Sequence, residues 1–308
     1  MGSANSTVGT KIVSTNESEK SARNVLDVLA EDVKKEAEND ASKYEKELKG
    51  KLSEAKFYQR LLKETDYVWS VLNNPCDLDH TWYTNIDDGS PARRNPCHGR
   101  NQKRFDENEG FECSNVCIRG NGNNRNGGSC APPRRRHICD KNLEAINKSN
   151  TQTVHDLLGN VLVTAKYEGD YLVKNHPQRE TSDICIALAR SFADIGDIVR
   201  GTDMFLGSNK EKEKIENSLQ NIFKNIQQNN NTLENLTDKQ IREYWWALNR
   251  KEVWKALTCS APYGANYYRK YSNNIQDFTS EGKCGHKETE RDLPTNLDYV
   301  PQFLRWYN

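Results

Sequence analysis

No apolar run longer than Ile12-Val13 occurs in the first twenty positions. The N-terminus is therefore read as carrying neither a standard secretory signal nor a membrane span. Net charge is missing too, because 44 Lys and Arg face 44 Asp and Glu. That balance argues against a nucleic-acid partner, as does the lack of any RNA-binding or helix-turn-helix signature. Proline is absent before Pro75, so the first quarter of the chain is free to run as long helices. Gly120-x-Gly122 has no third glycine at the spacing of a nucleotide-binding turn. No cysteine is set beside a base as a nucleophile would be. The sequence thus predicts no catalytic residues, no cofactor and no enzyme. Apolar residues are themselves scarce: only 35% of the 308 residues are hydrophobic, with a mean hydropathy of −0.94.

Such a chain must cover a thin core with polar side chains or stiffen itself another way. Nine cysteines supply the other way, since each cross-link is worth about 2–4 kcal/mol and points to an oxidising compartment. The opening Met1-Gly2-Ser3-Ala4-Asn5-Ser6 fits the loose myristoylation pattern, which implies the reducing cytosol that the cysteines contradict. The densest stretch is Asn126 to Glu144, where Cys130 and Cys139 bracket two prolines and Arg134, Arg135 and Arg136. Between Pro91 and Lys141, eleven Lys and Arg meet five acids. A local excess of that sign attracts polyanions, most strongly at low salt. Cys113 and Cys117, with Cys130, Cys139, His98 and His137 nearby, only loosely imitate a zinc cluster, because the second cysteine pair is nine apart. No metal is expected.

Along the chain, residues 1–20 are rich in Ser, Thr and Asn and read as a disordered lead-in. From Ser21 the pattern is helical: Val25, Leu29 and Val33 repeat at i+4 with Leu26 and Ala30 alongside, and Tyr44, Leu48 and Leu52 do the same. These amphipathic helices are expected to pack on the rest of the domain, making 1–74 an N-terminal segment. Residues 75–138 are Cys-rich, loop-rich and expected to hold little regular structure. Residues 139–308 return to helices. Val154, Leu157, Leu158, Val161, Leu162 and Ala165 form one stripe. Ser182 is placed to cap a second helix, stopped by Gly201. Ile215, Leu219, Ile222 and Ile226 mark a third, and Thr237 with Gln240 makes a capping box for a fourth.

Four ordered stretches carry a family resemblance: CAPPRRRHICDKNLE at 130–144, ALARSFADIGDIVRGTDMF at 187–205, REYWWALNRKEVWKALTC at 242–259 and DYVPQFLRW at 298–306. With NPC and HGR at 95–100 they span most of residues 75–306. The chain resembles the N-terminal segment plus Duffy-binding-like alpha domain of the Plasmodium falciparum erythrocyte membrane protein 1 family. The resemblance implies an all-α, disulfide-stapled Duffy-binding-like fold: an irregular first subdomain, a helical-bundle second subdomain, and no enzymatic site. A third, helical-hairpin subdomain is expected to be missing. The resemblance also implies an adhesive head on the infected erythrocyte surface, exported without a classical signal and membrane-anchored outside this stretch. Its expected partners are erythrocyte or endothelial receptors, heparan-sulfate-like or blood-group sugars in rosetting, and host antibodies.

The candidate glycan- or receptor-binding residues are Arg93, Arg94, Arg100, Lys103, Arg104, Arg134, Arg135 and Arg136. Guanidinium groups present planar, bidentate donors to sulfate or carboxylate. The competing reading pairs Arg134, Arg135 and Arg136 with Asp140, Glu144 and the N-terminal helices, so that they lock subdomains together. The Arg93–Arg104 group is expected to be exposed, and its charge reversal to abolish glycan capture without unfolding. Trp245, Trp246 and Trp254 are read as core. Among the cysteines, a Cys259–Cys284 bond is the one pairing favoured. Cys76, Cys97, Cys113, Cys117, Cys130, Cys139 and Cys185 are left open, with one partner expected downstream. The alternative function is a structural head that braces a neighbouring adhesion domain.

Overall fold

The computed structural model describes residues 22–57, 72–87, 89–100, 104–106, 108–121, 128–207, 211–270, 276–280, 282–286 and 292–306. The lead-in 1–20, Lys103 and most of the Asn/Gly-rich loop (122–127) lie outside the described residues. Five long helices carry the fold: α1 (Ala22–Ala41), α2 (Val154–Asn175), α3 (Asp183–Arg200), α4 (Glu211–Gln228) and α5 (Asp238–Leu257). α5 lies at the centre, packed against all four others. Among the described residues the all-α reading holds apart from two short antiparallel strands, β1 (Tyr267–Lys270) and β2 (Gln276–Ser280).

The apolar periodicity of α2 to α5 is what buries them. Leu157, Leu158, Val161, Leu162 and Ala165 are fully inside, as are Leu219 and Ile222 of α4. Each buried Leu or Ile contributes roughly 1.5–3 kcal/mol. Trp245, Trp246 and Trp254 are fully buried too, and Phe192 of α3 packs against the last two at 5.2 and 5.3 Å between ring centres. Thr237 and Gln240 form the expected capping box on α5, and Thr153 with Asp156 forms another on α2. Ser182 stands at the N-cap of α3 but does not cap it: its hydroxyl accepts the Asn266 N–H, and Thr181 Oγ1 accepts the Asp183 N–H instead. α3 stops at Gly201, whose φ of 75° an L side chain would resist. α2 crosses the end of α5 backbone to backbone at Gly169, where a Cβ would lie 1.8 Å from the Leu257 carbonyl oxygen.

The N-terminal segment departs from its sequence pattern twice. First, Val25, Leu29 and Val33 face solvent, at 39, 65 and 53% exposure. The inward face carries Asp27, Ala30 and Lys34. Polar partners chose that face: Asp27 accepts the Asn296 N–H and lies 3.5 Å from the Tyr267 hydroxyl, while Lys34 pairs with Asp292 at 2.7 Å. Second, the Tyr44, Leu48, Leu52 repeat is no continuous helix. The chain breaks into short turns at Ser42–Tyr44, Glu45–Leu48 and Leu52–Glu54. Asn249 of α5 holds that break by accepting the Gly50 N–H and donating to the Leu48 carbonyl.

Four disulfides join Cys76 to Cys259, Cys97 to Cys139, Cys113 to Cys130, and Cys185 to Cys284. The favoured Cys259–Cys284 bond is therefore wrong. Cys259 follows the end of α5, where the turn Pro75–Asp77 brings Cys76 to it. Cys284 sits in a left-handed turn over α3, opposite Cys185. The bonds follow helix packing, joining residues 183 and 99 positions apart. Cys117, the ninth cysteine, is buried with Ile118, Ala131, Phe205 and Trp306.

Candidate functional site

The arginine-rich segment turns inward. Pro133 starts a single helical turn, Pro133–Arg136, which points its three arginines at four acids. Arg135 is fully buried: its Nε donates to Asp203 at 3.0 Å, a second nitrogen also reaches Asp203, and Asp140 lies 3.7 Å away. Its guanidinium stacks 5.4 Å from the Phe205 ring centre. Burial opposes its charge, yet Asp203, Asp140 and Asp194 together outweigh burial and the pKa is raised. Arg134 donates to the Arg305 carbonyl at 2.7 Å and lies 3.9 Å from Asp194. Arg136 pairs with Glu109 at 2.7 Å and donates to the Gly110 carbonyl.

The preceding basic group follows the same course. Arg104 is buried, donating to Glu168 at 2.7 Å and to Ser191 at 3.0 Å. Arg100 bonds Asp140 at 2.9 Å and also reaches Glu144. Arg94 is buried and donates to the Thr81 carbonyl. Arg93 alone of the described candidates is exposed. The expectation of an exposed Arg93–Arg104 array is thus corrected at Arg94, Arg100 and Arg104. The competing reading of Arg134–Arg136 is right about Asp140 but not about Glu144, which pairs with Arg100 and Lys212, nor about the N-terminal helices: the other partners are Glu109 and Gly110, Asp194 of α3, Asp203 after it and the Arg305 carbonyl. A buried guanidinium is costly without a partner, and Arg104 and Arg135 find theirs in the remote Glu168 and Asp203.

Asp140 is the hub sequence reasoning undervalued. It is fully buried and shared by Arg100, Arg135 and Lys212, the last at 2.9 Å. Burial acts to raise its pKa, but Lys212, Arg100 and Arg135 together hold it down to about 2. A carboxylate so depressed stabilises the fold above its unfolded pKa of about 3.9, and that contribution is lost as pH falls from about 4 towards 2. Its size is about 2–3 kcal/mol. Urea titrations of the wild type and Asp140→Asn should therefore show a stability gap that is full at pH 6 and shrinks through this window. A gap unchanged down to pH 2 would refute the assignment. Asp194 and Asp197, which both accept from the buried Arg305, and Asp298, which accepts from Arg250, were also missed. The available signal was two aspartates, 194 and 197, inside the otherwise apolar α3 stripe.

Cys113, Cys130 and Cys139 are held in disulfides and are no thiolate ligands. Among the described residues, no three His, Cys, Asp or Glu side chains gather as a metal site would require.

What the surface offers instead is an open groove of about 580 Å³ between loop 92–99 and the last turns of α2. Tyr167, Asp170, Tyr171 and Lys174 line one wall at helical spacing; Asn95, His98 and Gly99 line the other. The Tyr167 hydroxyl is fixed by the His80 ring at 2.9 Å and the His80 N–H at 3.0 Å. Burial pushes its pKa up to about 12. Asp170 is already paired with Lys166 at 2.8 Å and accepts from Ser260.

The chain is similar to known proteins along nearly all its length. A family model described as the Duffy binding domain matches residues 128–305, and one described as N-terminal segments of PfEMP1 matches 21–56. The Duffy receptor of Plasmodium vivax (strain Salvador I) is 28% identical over 198 residues, 61% of this chain and 16% of that protein. Among solved structures, the N-terminal NTS-DBL1-alpha and CIDR-gamma double domain of PfEMP1 from the Plasmodium falciparum varO strain is 50% identical. It superposes with a TM-score of 0.83 over 94% of this chain and 43% of that one. A PfEMP1 DBLbeta domain bound to ICAM-1 is 26% identical, with a TM-score of 0.69 over 94% of this chain and 66% of that one. This chain therefore spans under half of the PfEMP1 double domain and a small part of the curated receptor.

Proposed function

We propose, from the premise that this chain belongs to the Duffy-binding domain family and carries a PfEMP1-type N-terminal segment, that it is an adhesion module for receptors on host cells. The observation that carries this reading is its 50% identity, over 94% of the chain, to a PfEMP1 head region. Family and fold are those of adhesion domains, not enzymes. We place the parent protein on the infected erythrocyte surface, anchored outside this stretch and met there by host antibodies. Its ligands would be erythrocyte or endothelial receptors, with heparan-sulfate-like or blood-group sugars as the glycan option and rosetting as the outcome.

The buried arginines weigh on which ligand class comes first. Arg94, Arg104 and Arg135 are committed to internal partners, so they cannot form the polyvalent cationic face that a sulfated chain needs. A protein receptor fits at least as well, and ICAM-1 is the partner seen on a related DBLbeta domain.

The test is retention of the oxidised monomer on immobilised heparin in a salt titration beside a chondroitin control, run in parallel with capture of erythrocytes and endothelial cells. Cell capture at physiological salt with heparin retention already lost is the expected result. Heparin-selective retention at physiological salt would restore sulfated glycans as the first ligand. Absence of capture by any cell would overturn the adhesion reading in favour of a bracing role. The exposed Val25, Leu29 and Val33 stripe on α1 is the one feature that favours bracing.

A further inference from the structure

Among the described residues, one disulfide alone has a histidine nitrogen in contact with its sulfur. The sequence sets no cysteine beside a base, but folding brings His286 to Cys76 from 210 positions away, with Nε2 4.0 Å from Cys76 Sγ. The other ring nitrogen, Nδ1, lies 2.9 Å from Thr258 Oγ1. That hydroxyl gives its single proton to the Trp254 carbonyl at 2.8 Å, so towards the ring it accepts. Nδ1 therefore carries the hydrogen, and in the neutral imidazole Nε2 turns a lone pair towards the disulfide. Thr258 is fully buried just after α5, which fixes the orientation of the ring. A sulfur, a base and a group that orients the base make the arrangement that activates a cysteine. Here it is masked as the Cys76–Cys259 bond.

The two sulfurs are not equivalent. Cys259 Sγ lies 3.3 Å from the Lys255 carbonyl oxygen, at the C-terminal end of α5 where helix carbonyls gather negative partial charge. An anion there is disfavoured. A thiolate at Cys76 instead faces an imidazole that can take a proton and pair with it as a cation. Both cysteines are half-buried and within reach of a small reagent, whereas the Cys185–Cys284 and Cys97–Cys139 bonds are buried. Cys113 is more exposed, but no imidazole contacts Cys113 or Cys130 among the described residues.

We infer that Cys76–Cys259 is an exchangeable disulfide, which takes up a low-molecular-weight thiol at Cys259 Sγ while Cys76 leaves as a thiolate paired with His286. The external thiolate attacks Cys259 Sγ. A new S–S bond forms there and the Cys76–Cys259 bond breaks, its electron pair staying on Cys76 Sγ. The proton lost by the incoming thiol ends on His286 Nε2, so the step needs no oxidant. In reverse, Cys76 attacks the mixed disulfide, expels the thiol and returns the proton. The fold keeps Cys76 in place meanwhile: Pro75 and Leu78 around it are buried, and its N–H is held by Asn74 at 3.2 Å. The inference is independent of the adhesion reading.

The experiment adds reduced glutathione to the oxidised full chain at neutral pH without denaturant, then iodoacetamide, and maps the peptides by mass spectrometry. Glutathione should appear on Cys259 and the alkyl group on Cys76, before the more exposed Cys113–Cys130 bond opens. Cys117, buried and in no disulfide, is the internal monitor and should stay unlabelled. His286→Gln should slow the exchange by about tenfold, because a leaving thiol of higher pKa departs more slowly. Glutathione found first on Cys76, Cys113 or Cys130 would overturn the inference. So would labelling of Cys117 in step with Cys76, since exchange would then follow unfolding. A His286→Gln protein with the native melting temperature and an unchanged rate would overturn it as well. If that variant does not fold, the position of the adduct in the wild type decides.

Discussion

Replacing Arg104 by glutamate is expected to prevent recovery of the folded protein. Arg104 is fully buried against Glu168, which also accepts from Ser191 and from the Cys139 N–H. Removing one partner of a buried pair costs about 3–5 kcal/mol, because the survivor is left charged and unsolvated. Reversal adds a second carboxylate to the same dry space. The loss is a large fraction of the roughly 5–15 kcal/mol that holds a typical domain together. Arg93→Glu is the control: its side chain is exposed, so stability should change by no more than about 0.5 kcal/mol. Yield of oxidised monomer and the urea midpoint decide the matter, and a native midpoint for Arg104→Glu would contradict the buried pair. Reversing Arg93, Arg94, Arg100, Lys103 and Arg104 together would accordingly report on folding, and lost glycan capture in that variant would say nothing about a binding face.

The second large effect is expected at Asp298→Ala. Both oxygens of this buried carboxylate are used: Arg250 grips it through Nε and Nη2 at 2.7 Å each, and Trp246 Nε1 donates to it at 2.9 Å. Burial works to raise the Asp298 pKa, but Arg250 brings it below the usual carboxylate range. Arg200 reaches the same residue through its backbone carbonyl. Truncation strands the Arg250 guanidinium and an indole N–H where water does not reach, at a cost of about 3–5 kcal/mol. For a chain of this size the melting temperature should fall by on the order of 10 °C. Glu234→Ala, on the exposed connector after α4, should leave it within a degree or so. If the two variants melt alike, the Asp298 keystone is refuted.

The two predictions share a cause with the errors of the sequence reading. An arginine in a basic run looks like surface until its acid is found, and the acids here are remote: Glu168 is 64 positions from Arg104, and Asp203 is 68 from Arg135. The groove was illegible for the same reason. Tyr167, Tyr171 and Lys174 could be placed on one face of α2 from spacing, but nothing local says that loop 92–99 stands opposite.

What the sequence determined by itself was whatever depends on near neighbours. The i+3 and i+4 stripes of α2 to α5, the Thr237–Gln240 cap, the Gly201 stop and the buried tryptophans all follow from side chains within a few turns of one another. The tertiary structure decided which cysteines meet, which face of α1 turns inward, and where each arginine ends. Asp27 and Asn296, which fix the face of α1, are 269 positions apart. Periodicity cannot choose between two sides of a helix when each carries apolar residues. A buried charge with a distant partner can, because leaving it unpaired costs more than exposing Val25, Leu29 and Val33.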